Sequence, residues 1–304
     1  MKIGIFYFSR KRLAYENPEQ TPFIIAAKKR KDIEVIPIFE PLITVIHTKK
    51  EIELFYNKEP FPACDVIICR TAIYEEPSLH SVTTEFLQEK GYLLINAYPT
   101  VSLSRNKLAQ HLILSKYKIP MPSWAIIRWP DQIDTVIKKI GFPMILKVAI
   151  GGKGKGIFYV ENLKTLQPIL DYLHVRDGNP VIIQKFIQEA QEKDIRVFII
   201  GDQVVAAMQR KAKQDDVRAN IGSGGTGSIF LLTDKIKSVA LRAAQAMNLE
   251  IAGVDIVLSK NGPLVLEVNS CPGLHEIQTV TGIDIAGKIL DYAVEKVYAK
   301  MVRS

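Results

Sequence analysis

The sequence predicts an open α/β layer followed by two α+β lobes, and three observations carry that expectation. Short apolar runs alternate with a helical pattern over residues 1–103, the order that builds a parallel sheet. From Phe142 onward short strands and glycine-rich turns dominate, backed by helical apolar spacing over Ile236–Met247 and Ile285–Met301. Two facing strands near the C-terminus, 252–258 and 263–269, carry acids on their polar side. The expected divisions are 1–103, 104–183 and 184–304.

In order, Lys2 to Phe8 reads as a buried strand and Pro22 to Lys31 as a helix, with strands at Ile33–Phe39, Val66–Arg70 and Tyr92–Asn96. A helix is expected to begin around Ser104, with serine as its cap. Ile119-Pro120-Met121-Pro122 forces an extended segment, because the residue before proline avoids the α region. Strands at Met144–Ala149 and Gly156–Val160 flank a glycine-rich loop. Val181–Ile187 is a further strand, and Asp194–Ile200 pairs with Gln203–Gln209 across Gly201-Asp202.

Composition narrows the function classes. The chain has 304 residues, 47% hydrophobic and 24% charged, the balance of an ordinary globular protein. No apolar run reaches membrane-spanning length, and Ile3–Phe8 is too short for a secretory signal. Three cysteines without a Cys-x-x-Cys pair argue against a disulfide framework or a structural zinc, and point to the cytoplasm. The net charge is +8, but the basic residues are dispersed and follow no nucleic-acid recognition module. A basic cavity for phosphates and acidic substrates accounts for the balance. The five histidines show no ligand spacing and read as surface or structural residues. Oligomeric state is left open.

The hairpin is the most informative feature. The even positions Ala252, Val254, Ile256 and Leu258 are apolar, as are Leu264, Leu266 and Val268. For both apolar sets to reach one core, even positions must pair with even, which favours a three-residue loop with Ser259 facing Pro263. That register sets Asp255 opposite Glu267, with Asn269 on the same face. Facing like charges repel, and a divalent cation removes the penalty; oxygen donors alone suit magnesium. A water-facing polar side is the plainer account of the same pattern.

Gly151-Gly152-Lys153-Gly154-Lys155-Gly156 is neither a Walker loop, since Ile157 follows the last glycine, nor a dinucleotide fingerprint, since a strand follows it. Lying between strands, it can fold over an anion, or it can be a simple hairpin tip. Lys147, in an otherwise apolar strand, needs an anionic partner if it points inward, or reaches solvent along its stem. Arg210, Lys211, Lys213 and Arg218 cluster ahead of Asn220 and Gly222-Ser223-Gly224-Gly225, either as a phosphate-binding group or as a solvated face balanced by Asp215 and Asp216. A magnesium site, a phosphate-covering loop and cations without a catalytic triad point to phosphoryl transfer.

At this point the chain resembles the ATP-grasp superfamily, and within it the ribosomal-protein-modification (RimK-like) L-glutamate ligase family. The residues that carry the resemblance are Glu189-Ala190, Asp194-Ile195-Arg196, Gly201 to Ala207, Arg210-Lys211-Ala212-Lys213 and Arg218-Ala219-Asn220. It continues through Ala252-Gly253-Val254-Asp255, Gly262-Pro263-Leu264-Val265, Glu267 to Leu274 and Thr281 to Lys288, and a weaker match runs back to Ser104. The resemblance implies an ATP-grasp fold: an N-terminal Rossmann-like domain, a central lobe with a flap, and a C-terminal lobe that grips ATP. It implies that Lys107 and Lys147 hold phosphates, that the loop with Gly152, Lys153, Gly154 and Gly156 covers the γ-phosphate, and that Lys185, Phe186 and Ile187 form the adenine hinge. Asp194 would lie near the ribose, Arg218 and Asn220 at the ATP, and Asp255, Glu267 and Asn269 at magnesium, with two ions expected and manganese as a substitute. Arg210 and Arg218 would steady the transferring phosphoryl group and the later oxyanion.

The activity so implied is an ATP- and Mg²⁺-dependent carboxylate–amine ligase working through an acylphosphate. Its partners would be ATP, an amino acid (glutamate first) and a carboxylate acceptor such as a protein C-terminus, a carrier protein, a peptide or a cofactor. Competing expectations are a nucleotide-binding regulatory protein and another ATP-grasp ligase of D-alanine or glutathione type. Three positions depart from the family pattern: Lys185 for an acid, Gly222-Ser223 for histidine and arginine, and Cys271 for serine. Arg70, at a strand end, is expected at the surface rather than on a substrate carboxylate.

Overall fold

The run Ile3–Tyr7 is buried at every position, as a strand covered on both faces must be. In the computed structural model, residues 1–8, 20–49, 51–70, 77–149, 156–213 and 224–302 are described. The N-terminal part comprises β1 (Lys2–Tyr7), α1 (Gln20–Lys28), β2 (Glu34–Phe39), β3 (Ile43–His47), β4 (Ile52–Tyr56), β5 (Glu59–Pro60), β6 (Val66–Arg70), α2 (Pro77–Glu89) and β7 (Leu94–Ile95). A parallel sheet of order β2-β1-β6-β7 forms the expected α/β layer. The antiparallel meander β3-β4-β5 was not expected. Its signals are the β-branched run Ile43–Ile46 and the turn Asn57-Lys58, whose φ values of 49° and 72° fit a tight hairpin.

The next elements are α3 (Thr100–Arg105), α4 (Lys107–Lys116), β8 (Trp124–Ile127), α5 (Ile133–Ile140), β9 (Met144–Val148), β10 (Ile157–Val160), α6 (Leu163–Asp177) and β11 (Val181–Lys185). Ser104 lies inside α3 and donates to the Val101 carbonyl, so it is no cap. The cap is Asn106, whose side chain accepts from the Leu108 and Ala109 N–H groups and starts α4 at Lys107. The antiparallel sheet β10-β9-β11-β8 packs Met144, Leu146 and Ile183 against Leu166, Leu170 and Leu173 of α6 in a core of its own. By contrast, Leu114 and Ile119 pack into the core of the C-terminal sheet.

That sheet, of order β14-β13-β12-β15-β16, is built from β12 (Lys193–Ile200), β13 (Gln203–Lys211), β14 (Thr226–Ile229), β15 (Ile251–Ser259) and β16 (Gly262–Asn269). Three helices accompany it: α7 (Asp234–Ala246), α8 (His275–Thr281) and α9 (Ile285–Met301). Period-two alternation sorts its faces. Ile195, Val197, Ile199, Val254 and Ile256 lie under Ile236, Val239 and Ala243 of α7. Phe198, Ile200 and Met208 join Ile285, Ile289 and Ala293 of α9 and Ile3, Ile5 and Tyr7 of the N-terminal sheet in one shared core.

Polar anchors fix that joint. Buried Asn96 donates to the Ile251 and Ser270 carbonyls (2.8 and 3.0 Å) and accepts from the Glu250 and Ile251 N–H groups (2.7 and 2.8 Å). Gln110 does the same for β16, donating to and accepting from Val268 at 2.9 and 2.8 Å. The exposed Arg30–Asp291 pair (2.7 Å) adds at most about 1 kcal/mol, whereas each fully buried aliphatic side chain contributes roughly 1.5–3 kcal/mol. The apolar core therefore decides the docking, and the amides set its register.

The hairpin forms with a corrected register. Its loop has two residues, with Ser259 opposite Gly262 rather than Pro263. A bulge at Leu266 then restores the expected pairing of Asp255 with Glu267. The bulge changes which side chains face inward: Val265 and Val268 are fully buried, Leu264 and Leu266 only partly, and Leu258 is exposed.

Candidate active site

One face of the C-terminal sheet carries a row of charges across four strands. Arg210 on β13 stands opposite Asp194 on β12. Arg196, two residues along β12 and so on the same side, stands opposite Asp255 on β15, which faces Glu267 on β16. Arg210 forks Asp194 with two bonds of 2.7 Å and reaches Asp255 Oδ2 at 3.0 Å. Arg196 forks Asp255 through Nε to Oδ1 and Nη2 to Oδ2. Burial alone would push the Asp255 carboxyl up; the guanidiniums of Arg196 and Arg210 outweigh it and hold the group below the usual carboxylate range. Asp255 is thus an ionised donor in an almost dry setting.

Asn269 turns its Nδ2 toward the Gly253 carbonyl (3.3 Å) and Asp255 Oδ2 (3.5 Å), leaving its Oδ1 as the free acceptor. The hairpin therefore presents two carboxylates and an amide, all hard oxygen donors. Among the described residues no three His, Cys, Asp or Glu side chains gather into a closed metal cage. That donor set fits magnesium, which keeps waters and substrate phosphates in its shell and takes only one or two carboxylates.

Lys107, in the first turn of α4, and Lys147, on β9, are both buried. Burial pushes the Lys147 ammonium down to about 8, against the pull of Glu267, and Lys107 lowers it further. A buried ammonium at Lys147 beside a second buried lysine suits a polyanion such as a polyphosphate. The backbone at Gly156 has φ +74°, and a Cβ there would stand 2.4 Å from Val148 Cγ2, so only glycine can end the loop beside β9. Gly152, Lys153, Gly154, Arg218, Asn220 and Gly222-Ser223 lie outside the described residues.

At the hinge, the Lys185 N–H donates to the Ser123 carbonyl and the Phe186 N–H to that of Pro143. Ile187 is the hinge residue whose N–H is not engaged in this way. The Lys185 ammonium turns away to the Gly141 and Phe142 carbonyls, 3.1 and 2.8 Å off, at the carboxyl end of α5. A cation there complements the helix dipole, which explains the departure from an acid. Arg70 is not at the surface: it is 3% exposed and donates to the Pro272 carbonyl at 2.7 Å. Cys271 is half-buried.

Sequence reasoning missed two side chains. Arg196 was legible only through its spacing from Asp194 and the strand register. His111, placed with surface or structural histidines, lies one turn after Lys107 and is buried against Trp124. Its Nδ1 is 2.8 Å from the Lys107 carbonyl, while Nε2 is buried without a hydrogen-bond partner. Gln184 Nε2, next to the hinge, is likewise buried and unpartnered.

Two antiparallel sheets joined to an α/β layer, with a charged hairpin face and two buried lysines, make the arrangement expected of an ATP-grasp protein. Comparison narrows this. Residues 104–293 match the family model described as the RimK-like ATP-grasp domain. The probable alpha-L-glutamate ligase of Methanococcoides burtonii is 35% identical over 294 residues, covering 96% of this chain and 95% of that protein. The one from Nitrosococcus oceani is 35% identical over 275 residues, 88% of each. Among solved structures, the ATP-grasp ligase PsnB complexed with minimal precursor, Mg and ADP aligns with a TM-score of 0.72 at 18% identity, over 97% of this chain and 98% of that one. The RimK domain protein from Sphaerobacter thermophilus aligns at 0.69 and 19%, over 97% and 100%. The chain belongs to the RimK-like ATP-grasp family. Among its described residues, no helix is long and apolar enough to cross a membrane.

Proposed function

We propose that this chain, an ATP-dependent ligase by family, joins the amine of an amino acid, L-glutamate first, to a carboxylate on a protein, peptide or small molecule. The observation that carries the reading is the pairing of ionised Asp255 with Glu267 across the hairpin, beside two buried lysines. Glutamate is suggested by the relatives named probable alpha-L-glutamate ligase. A peptide acceptor is suggested by the ligase PsnB, solved with its precursor peptide. The lobes in this reading are 1–103, 104–183 and 184–304, the second division falling within β11.

A carboxylate is a poor acyl donor until phosphorylation gives it a leaving group. Lys107 and Lys147 hold the phosphate chain, and the glycine loop with Gly152, Lys153, Gly154 and Gly156 closes over its end. Ile187 reads adenine from the hinge. Asp255, Glu267 and Asn269 would hold magnesium, with two ions expected and manganese as a substitute. When bound, the metal neutralises phosphate charge during transfer. Arg196 and Arg210 keep Asp255 ionised, and Arg218 with Asn220 meets the transferring phosphoryl group. The amine then attacks the acylphosphate carbonyl, and phosphate leaves with the bonding pair. No enzyme nucleophile takes part.

The test is ADP release and product mass over a panel of acceptors and amino acids. ADP release should require both partners, with a mass gain of one or more residues. Glu267→Gln should lower turnover by more than about 100-fold with an unchanged melting temperature. Near-normal turnover in that variant, or nucleotide binding without any ligation across the panel, would count against the reading.

A further inference from the structure

Asp255 carries more donors than a buried carboxylate needs for its own stability. An ionised carboxylate offers about two acceptor positions on each oxygen. Oδ2 is met by Arg196 Nη2 at 2.8 Å, Arg210 Nη2 at 3.0 Å and Asn269 Nδ2 at 3.5 Å. Among the described residues, Oδ1 is met by Arg196 Nε alone. The fork takes one position on each oxygen and fixes the plane of the carboxylate; Arg210 and Asn269 fill what is left of Oδ2, so the open position is on Oδ1.

The fork depends on a bare backbone beside it. A Cβ at Gly253 would lie 3.1 Å from Arg196 Cδ, 3.2 Å from its Nη1 and 2.6 Å from Pro272 Cβ. A side chain at 253 would collide first with Pro272, and the arginine stem running along β15 would also have to give by a few tenths of an ångström. Gly253 also supplies the carbonyl that holds Asn269.

We propose that Arg196 is a positioning residue of the metal site: its fork turns the Asp255 carboxylate so that Oδ1 alone meets the nucleotide-bound cation, and Gly253 stays bare to admit it. This rests on the reading of Asp255, Glu267 and Asn269 as the cation's ligands. A guanidinium fork does what an ammonium cannot, because it holds both oxygens in one plane. The geometry of the fork, rather than its charge, is the operative feature.

The experiment is Mn²⁺ titration of the full chain with ADP present, read by electron paramagnetic resonance, alongside melting temperatures and ADP affinity in EDTA. Arg196→Gln should weaken Mn²⁺ binding about 10- to 100-fold with metal-free ADP affinity unchanged. Arg196→Lys, which keeps the charge and loses the fork, should weaken it at least about tenfold, and Gly253→Ala severalfold with every ligand intact. If Arg196→Gln fails to fold, the other two variants carry the test. Mn²⁺ affinity within twofold of the parent in the folded variants, full rescue by lysine, or tighter binding would overturn the proposal. Glu267→Gln separates the two ideas. If it leaves Mn²⁺ binding intact, the site reading itself falls; if it abolishes binding while the Arg196 and Gly253 variants do not respond, only the positioning role falls.

Discussion

His111 shows how much one side chain can report. A carbonyl only accepts, so the bond to Lys107 O fixes the imidazole proton on Nδ1 and leaves Nε2 as a bare lone pair in a dry place. Burial, with Lys147 nearby, pushes the imidazole down to about 4. The unfolded chain, near 6.5, therefore takes up this proton first as the pH falls. Stability present above pH 6.5 is lost as the pH drops toward 4, by an amount of order 3 kcal/mol. His111→Phe should flatten the fall in melting temperature between pH 7 and 4.5; an equally steep fall would remove His111 as the cause. Individual residues were legible where chemistry clashes with local pattern, as with Lys147 in an apolar strand or Asp255 facing Glu267. His111 and Arg196 were not, because their roles arise from neighbours far along the chain: Trp124 and Lys147 for one, Asp255 for the other.

The elements read from the sequence were placed to within a few residues but not to their ends, and α2, α5, α6, α8, β8 and β14 were not read at all. The helix expected from Ser104 is two helices, and Asn106 between them decides where Lys107 points. Asn106→Ala removes both acceptor contacts, to the Leu108 and Ala109 N–H groups, and should cost about 1 kcal/mol. Because Lys107 follows directly, KM for ATP should rise more than kcat falls, which steady-state kinetics would show. The hairpin teaches the same lesson. Its pairing at the acid end followed from the apolar alternation, but the turn end did not, since one bulged residue absorbs the difference between two possible loops. Alternation constrains a register only where a buried face enforces it. The meander β3-β4-β5 escaped notice for a related reason: its strands are largely exposed or half-buried, so no core imprints a period on them.

At the scale of the molecule, the order of lobes was legible and their grouping was not. Phe198 and Ile200 of the C-terminal sheet share a core with Ile3 and Ile5 at the start of the chain, across a sequence distance that no local pattern spans. Asn96 fastens that joint from within, so Asn96→Ala strands two carbonyls and two N–H groups away from water. It should cost several kcal/mol and lower the melting temperature of the α/β layer and C-terminal lobe together, visible by calorimetry.

The grouping of the cores also separates the two lysines proposed to hold phosphates. Lys107 rides on α4, whose Leu114 belongs with the C-terminal sheet, while Lys147 rides on β9, inside the self-contained core of the central sheet. A triphosphate gripped by both is then a tether as well as a substrate, drawing the jaws of the cleft together while it lasts. In the proposed reaction that tether shortens when the acylphosphate forms, one step before the amide bond is made.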